Sequence, residues 1–454
     1  MSLNYFFCIS AGQTITRKQK TPFSLKHRYL NYGLLSLATL LKEQGINTIQ
    51  IQGLFDQPIK TLYTCINDYD LLKTQYPIFL SIPSFYALEW ASEFINLIYK
   101  YKPQQKIVIG GRWVIGNSIT EIKKVLPPVD QIITGTGEYI LPSILAKYNL
   151  FFIKSNNKHF SLDYSLLHDR HLYQPSIEIS RGCGKGCSFC QEKDEKLTPL
   201  KPVSHIINEL KNTLVKDNFI QMTPYFETSM FTPNTQWSEQ LKNAMLENNL
   251  FTQWRTEARV DSISTKNIPY LAEAGLKVID LGLESASKTQ LIAMHKTKEP
   301  NLYLERASNL LKVAHQHGIK TKVNILLFAG ETQETLKQSE DWLENHRQYI
   351  TGVSVGPVTV YGWEQENNLY IKKLKEMGAS ISHSSIGIKH LNLSKEIDFE
   401  TSQILSRKIS QSFMKKEQYF YLKSFSYLPR DYNYENFLID LESVSNIDKL
   451  SFSL

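Results

Sequence analysis

At 454 residues the chain is long enough for two or three domains, and its 42% hydrophobic and 21% charged content is that of an ordinary globular protein. Its net charge of +7 is modest, with lysine clusters only as short as Lys372-Lys373 and Lys415-Lys416, so nucleic acid is not an expected partner. No run of about 20 apolar residues is present to span a membrane. The opening Met1–Cys8 lacks a basic region and a cleavage site, which together with unpaired cysteines points to the cytoplasm.

Residues 1–150 read as alternating strands and helices. Short apolar runs at Asn4–Ile9, Thr48–Ile51, Ile78–Ile82, Lys106–Ile109 and Gln131–Thr134 predict strands, and helical spacing is clear over Tyr32–Leu41 and Ala87–Tyr101. Such alternation argues a doubly wound, Rossmann-like parallel sheet, whose ligands sit at the carboxyl ends of the strands. Two glycine-bearing loops fall there, Gly110-Gly111 and Gly135-Thr136-Gly137-Glu138. Residues 151–171, with His159, His168 and His171, read as a linker whose histidines face solvent.

From 172 to 370 the pattern repeats six times. Strands are expected at Ser176–Ser180, Phe219–Tyr225, Phe251–Glu257, Lys277–Gly282, Lys320–Phe328 and Gly352–Val360, with helices between them. Six such repeats make a partial (β/α)6 barrel, whose chemistry belongs at the C-terminal ends of its strands. Residues 371–454 are expected to form a mostly helical extension that caps the substrate pocket, rich in aromatics such as Tyr419, Phe420 and Phe425.

The first barrel strand runs into Arg181-Gly182-Cys183-Gly184-Lys185-Gly186-Cys187-Ser188-Phe189-Cys190. Three of the five cysteines fall within eight positions, spaced C-x3-C-x2-C, while Cys8 and Cys65 stand apart. Three thiolates on one loop suit an iron–sulfur cluster, and a four-iron cube would keep one iron open to a small molecule. The glycines at 182, 184 and 186 let the backbone take positive dihedrals around it. A zinc site would want a fourth Cys or His, and none follows before His205.

This pattern resembles the radical S-adenosylmethionine (SAM) superfamily, in the form R-G-C-x3-C-x-F-C of the subgroup with a cobalamin-binding domain ahead of the core. The resemblance implies that Cys183, Cys187 and Cys190 hold a [4Fe–4S] cluster whose open iron takes the amino and carboxylate groups of SAM. It implies cleavage of SAM to a 5′-deoxyadenosyl radical with an electron from a donor such as flavodoxin or ferredoxin. Phe189 would lie near the adenine. Glu227, in Phe226-Glu227-Thr228-Ser229-Met230-Phe231-Thr232, stands where the family places an acidic residue for the SAM ammonium. Arg259, in Trp254-Arg255-Thr256-Glu257-Ala258-Arg259-Val260-Asp261, would pair the SAM carboxylate. Glu284, in Gly282-Leu283-Glu284-Ser285, would touch the ribose or ammonium, and Asn324 the adenosine.

In the N-terminal domain, Gly110, Gly111, Gly135, Gly137 and Glu138 resemble the cobalamin-binding loops of the subgroup. The D-x-H-x-x-G motif is absent, and His27 is the single histidine in residues 1–150. The function implied is a cobalamin-dependent methyltransferase acting on an unactivated carbon of a small molecule or peptide. The alternative is a cobalamin-independent radical SAM reaction with a vestigial N-domain. A tRNA methylthiotransferase would need three further cysteines ahead of the triad, and only Cys8 and Cys65 are there.

Overall fold

The computed structural model describes residues 4–13, 21–55, 57–114, 119–152, 161–216, 222–362 and 364–444. They fall into two compact units, Met1–Tyr173 with Gly362–Glu366, and Gln174–Tyr361 with Asn367–Leu454.

The first unit is built on five parallel strands, β1 (Phe6–Ser10), β2 (Thr48–Gln52), β3 (Ile78–Ser81), β4 (Ile107–Gly110) and β5 (Gln131–Ile132), in the order β2-β1-β3-β4-β5. Every residue of β1 and β2 is buried, as expected where both sheet faces are covered. The order reverses between β1 and β3, the switch point at which doubly wound sheets hold ligands. There Asn31, the N-cap of helix Tyr32–Glu43, donates its amide to the hydroxyls of Ser10 and Ser81, both at 3.0 Å.

Helices at Pro58–Tyr69, Ile119–Val125 and Gly137–Lys147 complete the alternation. Gly137 and Glu138 therefore belong to the first turn of a helix rather than to a loop. An acidic side chain there complements the helix dipole, and the Ser36 hydroxyl donates to Glu138 at 3.3 Å. The stretch expected to be a linker is packed onto this unit instead. Its described part pairs Leu167 with Gln50, the His168 amide donates to the Gln50 carbonyl at 2.9 Å, and Lys42 meets Asp163 at 2.7 Å. His168 is only partly exposed, with Nδ1 3.0 Å from the Tyr69 hydroxyl, while His159 lies outside the described residues.

The second unit holds six parallel strands in sequence order: β6 (Ser176–Glu178), β7 (Tyr225–Glu227), β8 (Trp254–Arg259), β9 (Leu276–Glu284), β10 (Lys320–Leu327) and β11 (Gly352–Pro357). This is the (β/α)6 partial barrel. The second strand starts later than expected, and residues 219–221 lie outside the described ones. Alternation sets the faces. Phe226 stacks on Trp254 at 4.3 Å, and Phe231 joins Trp254 to Trp237 of the helix Thr235–Glu247, so this is the outer face. Tyr225, Glu227, Arg255 and Glu257 consequently face the lumen.

The C-terminal extension does not simply cap the pocket. It joins β12 (Thr359–Tyr361) of the preceding segment to its own β13 (Ser380–Ser385) and β14 (Ile388–Asn392) in an antiparallel sheet, besides its helices. Its Leu393 carbonyl accepts from the Gly330 amide at 2.8 Å, beyond the end of β10. The next part runs to the opposite end of the barrel. Thr223 donates to the Phe425 carbonyl at 2.8 Å, Arg255 donates to the Leu422 carbonyl at 2.5 Å, and Arg255 lies 5.1 Å from the Tyr427 ring. Thr223 precedes β7 and Arg255 follows Trp254, the first residue of β8, so this segment plugs the strand beginnings. A buried guanidinium needs such an acceptor. Among the described residues no helix is long and apolar enough to cross a membrane.

Candidate active site

The cysteine loop leaves β6 and turns back on residues 192–198. Cys183 N donates to the Glu195 carbonyl at 2.9 Å, Gly186 N to Lys193 at 3.1 Å, and Ser188 N to Met294 at 2.9 Å. Gly182, Gly184 and Gly186 all take positive φ, at 75°, 65° and 73°. At 182 space also demands glycine, since a Cβ would stand 2.4 Å from the Lys196 carbonyl oxygen. Cys187 is buried, and Cys183 and Cys190 are partly exposed. Burial raises the Cys190 thiol pKa, and the neighbouring charges of Glu192, Cys183 and Cys187 add to this.

Among the described residues, no three His, Cys, Asp or Glu side chains converge as they would on a single metal ion. In a cube each thiolate binds its own iron, so convergence on one point is not what a cluster asks of this loop. The donor set fits a cluster: three thiols on one glycine-shaped loop, with a cation beside them. That cation is Arg259, whose Nη1 donates to Cys187 Sγ at 2.8 Å.

Arg259 ends β8, and the structure engages it fully. Nε and Nη2 donate to the two carboxylate oxygens of Asp261 at 2.9 and 3.2 Å, and Nη2 also donates to the Lys296 carbonyl at 2.7 Å. Its bidentate edge is thus taken by Asp261 and is not turned to a ligand carboxylate. A second buried cation nearby is Lys296, which the sequence did not single out. It is 5% exposed, its Nζ lies 3.0 Å from Glu284 Oε1, and it sits 5.9 Å from the Phe189 ring centroid. A lone lysine after a short helix carries no sequence signal; only the fold brings it here.

Glu284 ends β9 in a left-handed conformation, φ 68°, just past a register slip in which Asn324 pairs with Gly282 and Ile325 with Glu284. Such irregularities re-aim side chains beside active sites. Gly282 makes room for the pair, since a Cβ there would lie 2.8 Å from Glu284 Oε1 and 3.3 Å from Lys296 Nζ. The Tyr303 hydroxyl fixes the Gly282 carbonyl at 2.9 Å. Asn324 is partly exposed on β10, in register with Gly282 and Ser354. Phe189 meets Phe328, just beyond β10, at 6.4 Å. Cys187, Phe189, Arg259, Glu284 and Lys296 are therefore joined at one end of the barrel, where strands finish.

Glu227 is placed differently from the expectation. It is the last residue of β7, in register with Glu178 and accepting a 2.7 Å hydrogen bond from Ser176, so it belongs to the barrel wall rather than to the following loop. Burial, then the charges of Glu257 and Glu178, push its pKa up to about 8.

In the first unit, Gly110 ends β4 with open space beside it, because a Cβ would meet only Ile133 at 3.8 Å. Gly111 is tied to the fold: its φ is 117°, and a Cβ would lie 2.5 Å from the Ile82 carbonyl oxygen. Gly135 has φ 92°, and Gly137 packs against Leu37. His27 is buried, with Nδ1 3.4 Å from the Tyr29 hydroxyl.

Residues 177–343 match the radical SAM superfamily model. No curated protein sequence matches the chain. Among solved structures, the cobalamin-dependent SAM radical enzyme OxsB, with aqua-cobalamin and SAM bound, superposes with a TM-score of 0.66 at 18% identity, over 89% of this chain and 66% of that one. The chain thus spans just under two thirds of OxsB. The radical SAM methyltransferase TsrM from Kitasatospora setae, with tryptophan and a SAM analogue bound, gives 0.59 at 15% identity, over 84% and 79%. Residues 177–343 are a radical SAM domain, in a chain whose fold is similar to those of OxsB and TsrM.

Proposed function

We propose that this protein is a cobalamin-dependent radical SAM methyltransferase acting on an unactivated carbon. The observation that carries the radical chemistry is the meeting of the glycine-shaped cysteine loop with Arg259 and the Lys296–Glu284 pair at the strand ends. Cys183, Cys187 and Cys190 would hold the cluster, and Arg259 steadies Cys187. Lys296 and Glu284 offer opposite charges to the carboxylate and ammonium of SAM, and Phe189 offers a face to its adenine. When bound, the cluster supplies the electron that splits SAM, and cobalamin supplies the methyl group.

Lys296→Met should leave iron content intact and weaken SAM binding. Loss of a charge-assisted interaction costs about 1.5–3 kcal/mol, or roughly ten- to hundredfold in affinity. Isothermal titration of the reconstituted protein with SAM checks this, and an unchanged affinity would remove Lys296 from the SAM site.

Cobalamin is favoured by the 2-1-3-4-5 sheet with glycine loops beyond β4 and β5, and by the open space beside Gly110. No imidazole of the protein is expected to reach cobalt, since the one histidine of residues 1–150 is buried beside Tyr29. Gly110→Val should abolish uptake of hydroxocobalamin and keep the iron–sulfur spectrum, because a Cβ there meets nothing nearer than Ile133 at 3.8 Å. Cobalt content per chain reads the outcome. Wild-type protein without stoichiometric cobalt would favour the cobalamin-independent alternative.

A further inference from the structure

One row of the barrel wall is ionisable on five successive strands. Register places Glu178 beside Glu227 and Asp280 beside both Glu257 and Lys322. Phe226 pairs with Thr256, which sets Glu227 next to Glu257. All face the lumen, one register step below Arg259 and Gly282.

Their charges are not equally matched. Asp280 takes Arg255 and Lys322, the latter at 2.7 Å, and Glu178 takes Arg181. The Glu227 carboxyl accepts the Ser176 hydroxyl, and no ion pair of Glu257 is found among the described residues, Lys322 and Arg255 acting on it from farther off. Glu257 is the one position of β8 with ample accessible surface although it lies deep among protein atoms, so that surface fronts the barrel interior rather than bulk water. A separate observation points the same way. The Tyr225 hydroxyl, on a residue 6% exposed, has no well-formed hydrogen bond; it approaches Glu257 closely enough to favour the ionised carboxylate, without satisfying itself. Burial raises the pKa values of both Glu227 and Glu257, and their mutual repulsion raises Glu227 further.

We infer that this space receives a primary ammonium group of the substrate, held by Glu227, Glu257 and the oxygen of Tyr225. Three N–H donors meet two carboxyl groups and one hydroxyl oxygen, and a bound cation would draw both carboxyls, whose pKa values burial raises, to their ionised form. The inference names a substrate class for the proposed reaction and rests on that reading: an aliphatic amine whose chain extends from this row toward the strand ends. The plug of Leu422 and Tyr427 below Arg255 closes the other direction.

The test compares hexylammonium, hexanol and hexanoate as probes of the reconstituted full chain, by saturation-transfer NMR. Hexylammonium should bind at least about tenfold more tightly than either other probe. Glu257→Gln should remove that preference, and Tyr225→Phe, which deletes a single oxygen and should fold normally, should weaken it several-fold. Equal binding of hexanol, or a preference that survives both substitutions, overturns the inference. Iron content and visible absorbance of the same samples report the radical SAM reading separately, so a colourless protein that still selects hexylammonium would overturn that reading alone.

Discussion

Cys187→Ala is expected to yield a colourless protein. Two thiolates cannot hold a cube, and Cys187 is the buried thiol that Arg259 contacts at 2.8 Å. Cys183→Ala and Cys190→Ala should give the same loss of iron. Cys8→Ala and Cys65→Ala should not, because Cys8 is interior to β1 and Cys65 to the helix Pro58–Tyr69, where burial pushes both thiols far above their ordinary range. Iron analysis after anaerobic reconstitution decides. Stoichiometric iron in Cys187→Ala, or lost iron in Cys8→Ala, would mean different ligands.

The largest stability effect should come from Asp280→Asn. Asp280 is 2% exposed and is shared by Arg255 and Lys322, themselves buried. Burial alone would raise its pKa; Arg255 and then Lys322 bring it down to about 2. Removing the carboxylate leaves two buried cations unmatched, a loss of about 3–5 kcal/mol for breaking a buried pair. Because the folded pKa is depressed, the stabilisation is present above about pH 4, the ordinary Asp value, and is lost as pH falls toward about 2. Urea midpoints of wild type and variant across this window check both statements. A loss below about 1 kcal/mol near neutral pH would place Asp280 in a solvated setting rather than in a buried network.

What was legible in the sequence was local. The cysteine spacing and its three glycines lie in one stretch, and apolar runs such as Lys320–Phe328 mark strands whatever surrounds them. The helix Pro58–Tyr69 carries little signal in the sequence, because its buried face is only Thr61, Leu62 and Cys65 beyond Pro58, too thin a stripe to stand out. The Asp261 partner of Arg259 lies two residues away and was within local reach of the sequence, whereas Lys296 could not be read, since its role arises from a strand end and a loop meeting in space. The tail followed the same rule. Its aromatics signalled packing, but only the Arg255 Nη1, which Asp280 leaves for the Leu422 carbonyl, and the opening at Gly352, which Met414 and Leu422 fill, decide which barrel end they cover. Charged residues recur in the first five barrel strands, but only the register of the sheet shows that Glu178, Glu227, Glu257, Asp280 and Lys322 share one row.

The cysteine loop as the seat of SAM cleavage is tested most directly by reducing the reconstituted protein in the presence of SAM and following the products by chromatography. About four irons per chain, with methionine and 5′-deoxyadenosine formed in equal amounts, is the expected result. Zinc in place of iron, or a reduced iron–sulfur protein that leaves SAM intact, would contradict it.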